Sequence, residues 1–432
     1  MIEIYNWQEL DIKKQIDLLA RPVSANKASL ISGVRDILNA VQKNGDKALF
    51  EFTSKFDRVD LDNIEVSKSE IKKAYSLASQ DDIDLIKSSI ARISNYHRVM
   101  KPKTTVCDTN DGVVCKKVYK SIEKVGLYVP GGSAPLVSTL IMLAAPAQIA
   151  GCKEVFVTTP CDKNGNVHPL ILIAADICKV SNIYKLGGAQ AIAALAYGTE
   201  TVPKVNKIFG PGNSWVTEAK QQVSNDNQGA AIDLPAGPSE VLVIADECAD
   251  PRFVAADLLA QAEHGVDSQA ILITTSQTLA DKVKQEVSKQ TDTAQRKDII
   301  EKSLINSAII ITNSIDESIK IANEYASEHL ILNIENADDY IDSIENAGAI
   351  FVGPWAAEAL GDYITGSNHV LPTYGYAKAY SGLATIDFMK AISIQNVSKQ
   401  GIKNIGKMAM RLADIEGLKA HEMAVKIRLE SL

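Results

Sequence analysis

Six cysteines in a chain of 432 residues, none of them in a Cys-x-x-Cys pair, exclude a disulfide framework of the kind that staples small secreted domains. Cys107, Cys115, Cys152, Cys161, Cys178 and Cys248 are expected instead as buried small hydrophobes of a cytoplasmic protein. The sharper alternative makes Cys115 or Cys152 a nucleophile that holds an aldehyde, yet no histidine stands near either in sequence to activate it. Long apolar runs are missing too. The longest, residues 140–149, contains Pro146 and Gln148, is too short to span a bilayer and reads as a buried helix. Residues Met1 to Trp7 show no charged n-region or apolar h-region, so no secretory signal is expected. Lys and Arg do not cluster, and the net charge is -8, so neither nucleic acid nor membrane is an expected partner. Val425 stands where a zinc-protease HExxH beginning at His421 needs its second histidine. Neither Ser133 nor Ser239 lies in Gly-x-Ser-x-Gly, and the chain has no P-loop and no GxGxxG.

What is present is an alternation. With 46% apolar and 23% charged residues the composition is that of an ordinary globular protein, and the length suggests two or three domains. Residues 8–50 read as helices, and 81–99 as an amphipathic helix carrying His97 at a surface or half-buried position. From Val125 onward, short apolar strands alternate with helices. Strands are expected at 125–129, 154–158, 183–186 and 207–209, and again at 241–244, 270–274, 308–311, 329–332 and 349–352. Such alternation predicts parallel α/β sheets, in two units that meet near residue 237. Three Gly-rich turns, at 130–133, 187–188 and 210–212, stand between strand and helix. They suit a nucleotide-type ligand at helix N-termini, or serve only as tight turns. From about Thr385 the chain reads as helical. A tail of roughly 50 residues cannot bury much alone and must pack on another domain or a second subunit.

Four of the six histidines sit in acid- and amide-rich clusters: Gln261-Ala262-Glu263-His264, Ser327-Glu328-His329-Leu330, Asn368-His369 and Glu416-Gly417-Leu418-Lys419-Ala420-His421. Gly361-Asp362 precedes the third. His, Asp and Gln together are a nitrogen/oxygen ligand set for zinc or a similar divalent metal, and ligands drawn from several segments point to a catalytic site. Asp250-Pro251 is a helix start, and Gln261 and His264 share a face of that helix's last turn, where the carbonyl-rich end favours a cation. Glu328-His329 offers two adjacent proton-transfer groups. His369 lies on an apparent loop, His421 follows Glu416 on a tail helix, and His168 is a surface turn residue.

Taken in order, eight segments resemble the histidinol dehydrogenase family. They run from Val125-Gly126-Leu127-Tyr128-Val129-Pro130-Gly131-Gly132-Ser133-Ala134-Pro135-Leu136 through Gly187-Gly188-Ala189-Gln190-Ala191-Ile192 and Gly210-Pro211-Gly212-Asn213. Asp233-Leu234-Pro235-Ala236-Gly237-Pro238-Ser239-Glu240 comes next, followed by the four histidine clusters, the third of them read as Gly366-Ser367-Asn368-His369. The resemblance implies an oxidation of L-histidinol to L-histidine through an aldehyde, with two NAD and one zinc per subunit. It implies that Gln261, His264, Asp362 and His421 hold the zinc, and that Glu328 and His329 do the acid/base work. Tyr128, Gln190 and Asn213 would contact NAD. Ser239, His369 and Glu416 would contact substrate, joined there by Gln261, His264, His329, Asp362 and His421. It implies a cytoplasmic homodimer with shared active sites, the tail crossing to the partner. The expected architecture is two Rossmann-like parallel-sheet units with a helical N-terminal arm and a helical C-terminal tail. The arm is 1–20, the metal and acid/base domain 21–127 plus 238–380, the NAD-contacting domain 128–237 and the tail 381–432. The rival readings are a dehydrogenase of another amino- or sulfo-alcohol, a zinc hydrolase, and a binding protein without activity.

Overall fold

The computed structural model describes residues 2–22, 27–131, 135–234 and 237–432. The expected turn residues Gly132, Ser133, Ala134, Pro235 and Ala236 lie outside the described residues. Two parallel sheets carry the architecture. The first has the strand order Asn182–Lys185, Glu154–Thr159, Lys124–Tyr128, Lys207–Phe209, Ala231–Ile232. Helices Val137–Ala150, Pro169–Ile177, Gly188–Tyr197 and Ser214–Ser224 connect successive strands. Val125, Leu127, Val157 and Ile208 are wholly buried, as strands covered on both faces require. The chain builds outward from Lys124–Tyr128 to one side, then returns to place Lys207–Phe209 on its other side. That reversal opens a crevice at the carboxyl edge, the usual ligand position of such sheets.

The second sheet has the order Glu3–Asn6, Ala308–Ile311, Gln269–Thr274, Glu240–Ala245, His329–Asn333, Ala349–Val352, and every pairing is parallel. The expected helical arm therefore begins as an edge strand, with its helix confined to Ile12–Leu19. Four residues are too few to show a period, and the strand exists only because Ala308–Ile311 offers a free edge.

The tail also departs from expectation. Met389–Val397 is a strand antiparallel to Val113–Ser121, which in turn pairs with Thr105–Asp108. The alternation Ile392-Ser393-Ile394-Gln395 is a period-two signal that the helical reading passed over. Two helices follow, Lys399–Ile415 and Lys419–Glu430, broken at Gly417 with φ of 72°. The single tail helix expected to carry Glu416 and His421 is thus a hairpin. Its root is pinned by Phe388, wholly buried and stacked on Phe209 at 3.9 Å.

The expected boundary between 127 and 128 falls inside strand Lys124–Tyr128. Helices from the N-terminal region pack on the five-stranded unit: Val34, Ile37 and Val41 lie with Tyr184 and Leu195, and Ile83, Ile86 and Ile93 with Leu140 and Leu172.

His97 is wholly buried, not at the surface. Asn368 Nδ2 donates to its Nε2 at 3.3 Å, and its Nδ1 lies 3.3 Å from Thr385 Oγ1. Its covering residues come from far along the chain, which helix periodicity cannot reveal. Burial pushes its pKa down to about 4 from an ordinary 6.5. A depressed folded pKa means that the unfolded chain binds the proton first. His97 thus contributes stability above about pH 6.5 that is lost as pH falls through about 4. The loss of unfolding free energy between about pH 7 and about pH 5 should be smaller in His97→Gln by about 2 kcal/mol, measured by urea titration.

Candidate active site

Strands Glu240–Ala245 and His329–Asn333 are neighbours, with His329 opposite Val241. Both begin at the amino edge of the six-stranded sheet, so Glu240, Glu328 and His329 come together there. The Glu240 N–H donates to Glu328 Oε2 at 3.0 Å, and the Glu240 carbonyl lies 3.4 Å from His329 Nδ1. That pairing assigns the proton to Nδ1 and leaves Nε2 a free acceptor. Nε2 has no hydrogen-bond partner among the described residues and lies 3.8 Å from Asp362 Oδ1. Burial drives the Glu328 carboxyl well above its usual range and the His329 imidazole down to about 3, so the ring is neutral at pH 7.

The short helix Glu358–Tyr363 supplies two carboxylates. Glu358 Oε1 lies 3.6 Å from His329 Nδ1. Burial raises the pKa of both carboxyls, that of Asp362 to about 7. His329, Glu358 and Asp362 place one ligand atom each within 4.8 Å of one another, close enough for a cation. Glu358 escaped the sequence reading. Its spacing of four from Asp362 on one helix was the available signal. His369 Nδ1 donates to the Asp362 carbonyl at 2.9 Å, and its Nε2 lies 3.3 Å from Thr139 Oγ1. Burial lowers its pKa to about 4.

Helix Pro251–Ala262, capped by Asp250, delivers Gln261 and His264 to the same edge. His264 is exposed, desolvation by the protein around it lowers its pKa, and its charge would bear on both His329 and His369. Gln261 is wholly buried, and neither its amide oxygen nor its nitrogen has a hydrogen-bond partner among the described residues. A buried amide with both ends unmet suits a ligand that would engage it.

Tyr128, Gln190 and Asn213 line one cavity of about 410 Å³ at the carboxyl edge of the five-stranded sheet. Tyr128 Oη accepts from Gly188 N–H at 3.1 Å, and Asn213 Oδ1 caps helix Ser214–Ser224. Gly210 is required where it stands: its φ is +117° and a Cβ would meet the Tyr128 carbonyl oxygen at 2.1 Å. A second cavity of about 750 Å³ adjoins, sharing Phe56, Asp57, Gly131 and Pro160, and His168 lies on its rim as the cap of helix Pro169–Ile177. Asp57 was not foreseen; one Oδ is buried without a partner among the described residues.

Glu416 and His421 stand exposed on the tail hairpin and are not brought to this cluster within one chain. Ser239 is half-buried beside Glu240. Of the cysteines only Cys152 and Cys178 are buried. Cys107 and Cys248 are exposed, which corrects the expectation of six core thiols. Burial pushes the Cys152 thiol up to about 11, against a nucleophilic role.

A buried Glu–His pair with carboxylates and imidazoles around it, together with a crevice at a sheet's reversal point, is the arrangement of an α/β enzyme. The family profile described as histidinol dehydrogenase matches residues 20–429. A histidinol dehydrogenase of Legionella pneumophila (strain Paris) is 49% identical over 433 residues, covering 100% of both chains. One of Vibrio vulnificus (strain YJ016) is 48% identical over 426 residues, covering 99% of this chain and 98% of that protein. The crystal structure of histidinol dehydrogenase from Elizabethkingia anophelis superposes with a TM-score of 0.96 at 45% identity, covering 100% of this chain and 98% of that one. The chain belongs to the histidinol dehydrogenase family and is an oxidoreductase. Among the described residues no helix is long and apolar enough to cross a membrane.

An unmet buried amide costs stability. In chelator-treated protein Gln261→Leu should raise unfolding free energy by about 1–3 kcal/mol, while zinc should stabilise the parent more than the variant. Thermal unfolding with and without zinc checks both.

Proposed function

We propose that the chain oxidises L-histidinol to L-histidine through L-histidinal, passing four electrons to two NAD with one zinc per subunit, as the last steps of histidine biosynthesis. The observation that carries this reading is the buried Glu328–His329 pair, with His329 held neutral and its Nε2 free. In this reading Gln261, His264 and Asp362 hold the zinc together with His421. The unmet amide of Gln261 and the gathering of His264, His329 and Asp362 fit such a group. When bound, the zinc would act as a Lewis acid that anchors the substrate's nitrogen donors. NAD would lie in the carboxyl-edge cavity against Tyr128, Gln190 and Asn213, within the NAD-contacting domain expected at 128–237.

Each oxidation removes a hydride and a proton. His329 takes the alcohol proton at Nε2, its Nδ1–H held by the Glu240 carbonyl. Glu328 takes a proton from the water that adds to the aldehyde, and its raised pKa makes it a stronger base once ionised. His329, having passed the first proton on to solvent, accepts the second alcohol proton, now of the hydrate. Ser239, His369 and Glu416 would contact the substrate, and burial of the pair keeps the reactive aldehyde from bulk water.

The exposed tail fits a homodimer with shared active sites, which in this reading works in the cytoplasm. Met408, Leu412, Ile415 and Met423 remain uncovered on the hairpin that carries His421. A second copy would cover them and bring Glu416 and His421 into its partner's site.

The first test is stoichiometry. Protein given L-histidinol and NAD should form two reduced cofactors per histidine, with activity lost to a chelator and restored by zinc. Reduction with another amino-alcohol but none with histidinol would move the substrate, and turnover without NAD would point to a hydrolase. His329→Asn should lower both oxidations by about two orders of magnitude or more while zinc stays bound. Glu328→Gln should slow aldehyde oxidation more than alcohol oxidation, and an equal loss in both would contradict its role with water. For tail exchange, a purified heterodimer of one His421→Asn chain and one Glu328→Gln chain should keep about half of the parent activity, because both lesions then share one site and spare the other. Complete loss would place the tail in its own chain's site.

A further inference from the structure

We propose that Arg21 is a positioning residue for the Glu328–His329 pair, acting through Glu240. The inference rests on reading that pair as the acid/base machinery. Both members lean on one peptide unit or the next: Glu328 accepts from the Glu240 N–H, and His329 Nδ1 faces the Glu240 carbonyl. Any rotation of the Glu240 backbone would therefore move the carboxylate and release the imidazole's proton-bearing nitrogen together.

Strand pairing with Gln269 holds that backbone on one side, and the Glu240 side chain fixes it further. It is buried at 1% exposure, where a lone carboxylate is costly. Arg21 meets it with two donors, Nε to Oε2 at 2.9 Å and Nη2 to Oε1 at 3.3 Å. The Tyr325 hydroxyl lies 3.0 Å from the same Oε2. Arg21 also grips the segment that precedes the pair. Its guanidinium stacks on the Tyr325 ring at 3.8 Å, and Nη2 donates to the Tyr325 carbonyl at 2.5 Å. Tyr325 ends helix Ile315–Tyr325, three residues before Glu328. One guanidinium thus ties the strand that carries Glu240 to the helix end that leads into Glu328 and His329. Its planar fork makes both bonds at once, which a lysine ammonium cannot reproduce. Arg21 touches neither member of the pair directly, so its effect belongs on the rate of the bound complex and not on binding.

Arg21→Lys keeps the charge and loses the fork. It should lower kcat for histidinol oxidation about tenfold, with KM for histidinol and for NAD within about twofold of the parent and zinc content unchanged. Arg21→Ala should lose more, and added guanidinium ion should restore part of its kcat, whereas His329→Asn should gain nothing from that ion. Where Arg21→Lys yields no folded protein, Glu240→Gln answers the same question, since it keeps the main-chain groups and removes the charge that Arg21 grips. An unchanged kcat in the folded variant overturns the proposal, as does a loss confined to thermal stability or a rise in KM alone. If the parent itself fails to oxidise histidinol, the functional reading has failed instead. A parent that turns over beside an equally fast Arg21→Lys sinks the positioning role alone.

Discussion

Desolvation is the constraint on which the site depends. Glu328, Glu358 and Asp362 are forced toward their neutral forms by burial, and His329 and His369 likewise. Without a ligand the cluster therefore carries little net charge despite holding many ionisable groups. A cation reverses that balance, because a positive charge beside a buried carboxyl lowers its pKa again. Uptake of zinc in the proposed reading would accordingly release protons. The same dryness holds the Nε2 lone pair of His329 free near neutral pH, which a solvent-exposed histidine would share with water.

Geometry follows from how the two sheets meet. Ligand crevices of open parallel sheets ordinarily lie at carboxyl edges, and the cavity with Tyr128, Gln190 and Asn213 obeys that rule. The Glu328–His329 pair does the opposite, standing where strands Glu240–Ala245 and His329–Asn333 begin. The contact between His369 and Thr139 explains the inversion. Thr139 lies in the first turn of the helix that leaves the carboxyl edge of one sheet, and His369 belongs to the cluster at the amino edge of the other. The two edges face each other across that seam. A reactant held at one edge can meet proton-transfer groups held at the other, and neither sheet needs to supply both.

Legibility in the sequence tracked the range of the forces involved. The strands around Val241–Ile244, Ala270–Thr274 and Ala308–Ile311 are continuous apolar runs, so local pattern alone located them to within a residue. Glu328, His329, Gln261 and His264 were legible as clusters because their chemistry is packed into a few adjacent positions. Glu3–Asn6 and Met389–Val397 were not, since each becomes a strand through a partner distant in sequence. His97 was misread for the same reason: its covering residues, Asn368 and Thr385, arrive from the other end of the chain. Glu358 and Arg21 show a further limit. Neither sits in a distinctive motif, and each is singled out only by its contact with a buried partner, His329 or Glu240.

In the proposed reading, Glu416 and His421 mark where a single chain stops being a sufficient description. Zinc sites favour four ligands, and the amino-edge cluster offers Gln261, His264 and Asp362 from the expected set. The fourth expected ligand lies on a hairpin whose strand is exposed along nearly its whole length and whose helices leave Met408, Leu412 and Ile415 uncovered. An apolar surface of that kind on a segment too small to hold a core is unfavourable in water, and association with a second copy would relieve it. In the proposed dimer, the hydrophobic gain of docking the tail and the completion of the metal's ligand set are one event. Metal affinity and dimer stability would then be linked, each strengthening the other by the same free energy.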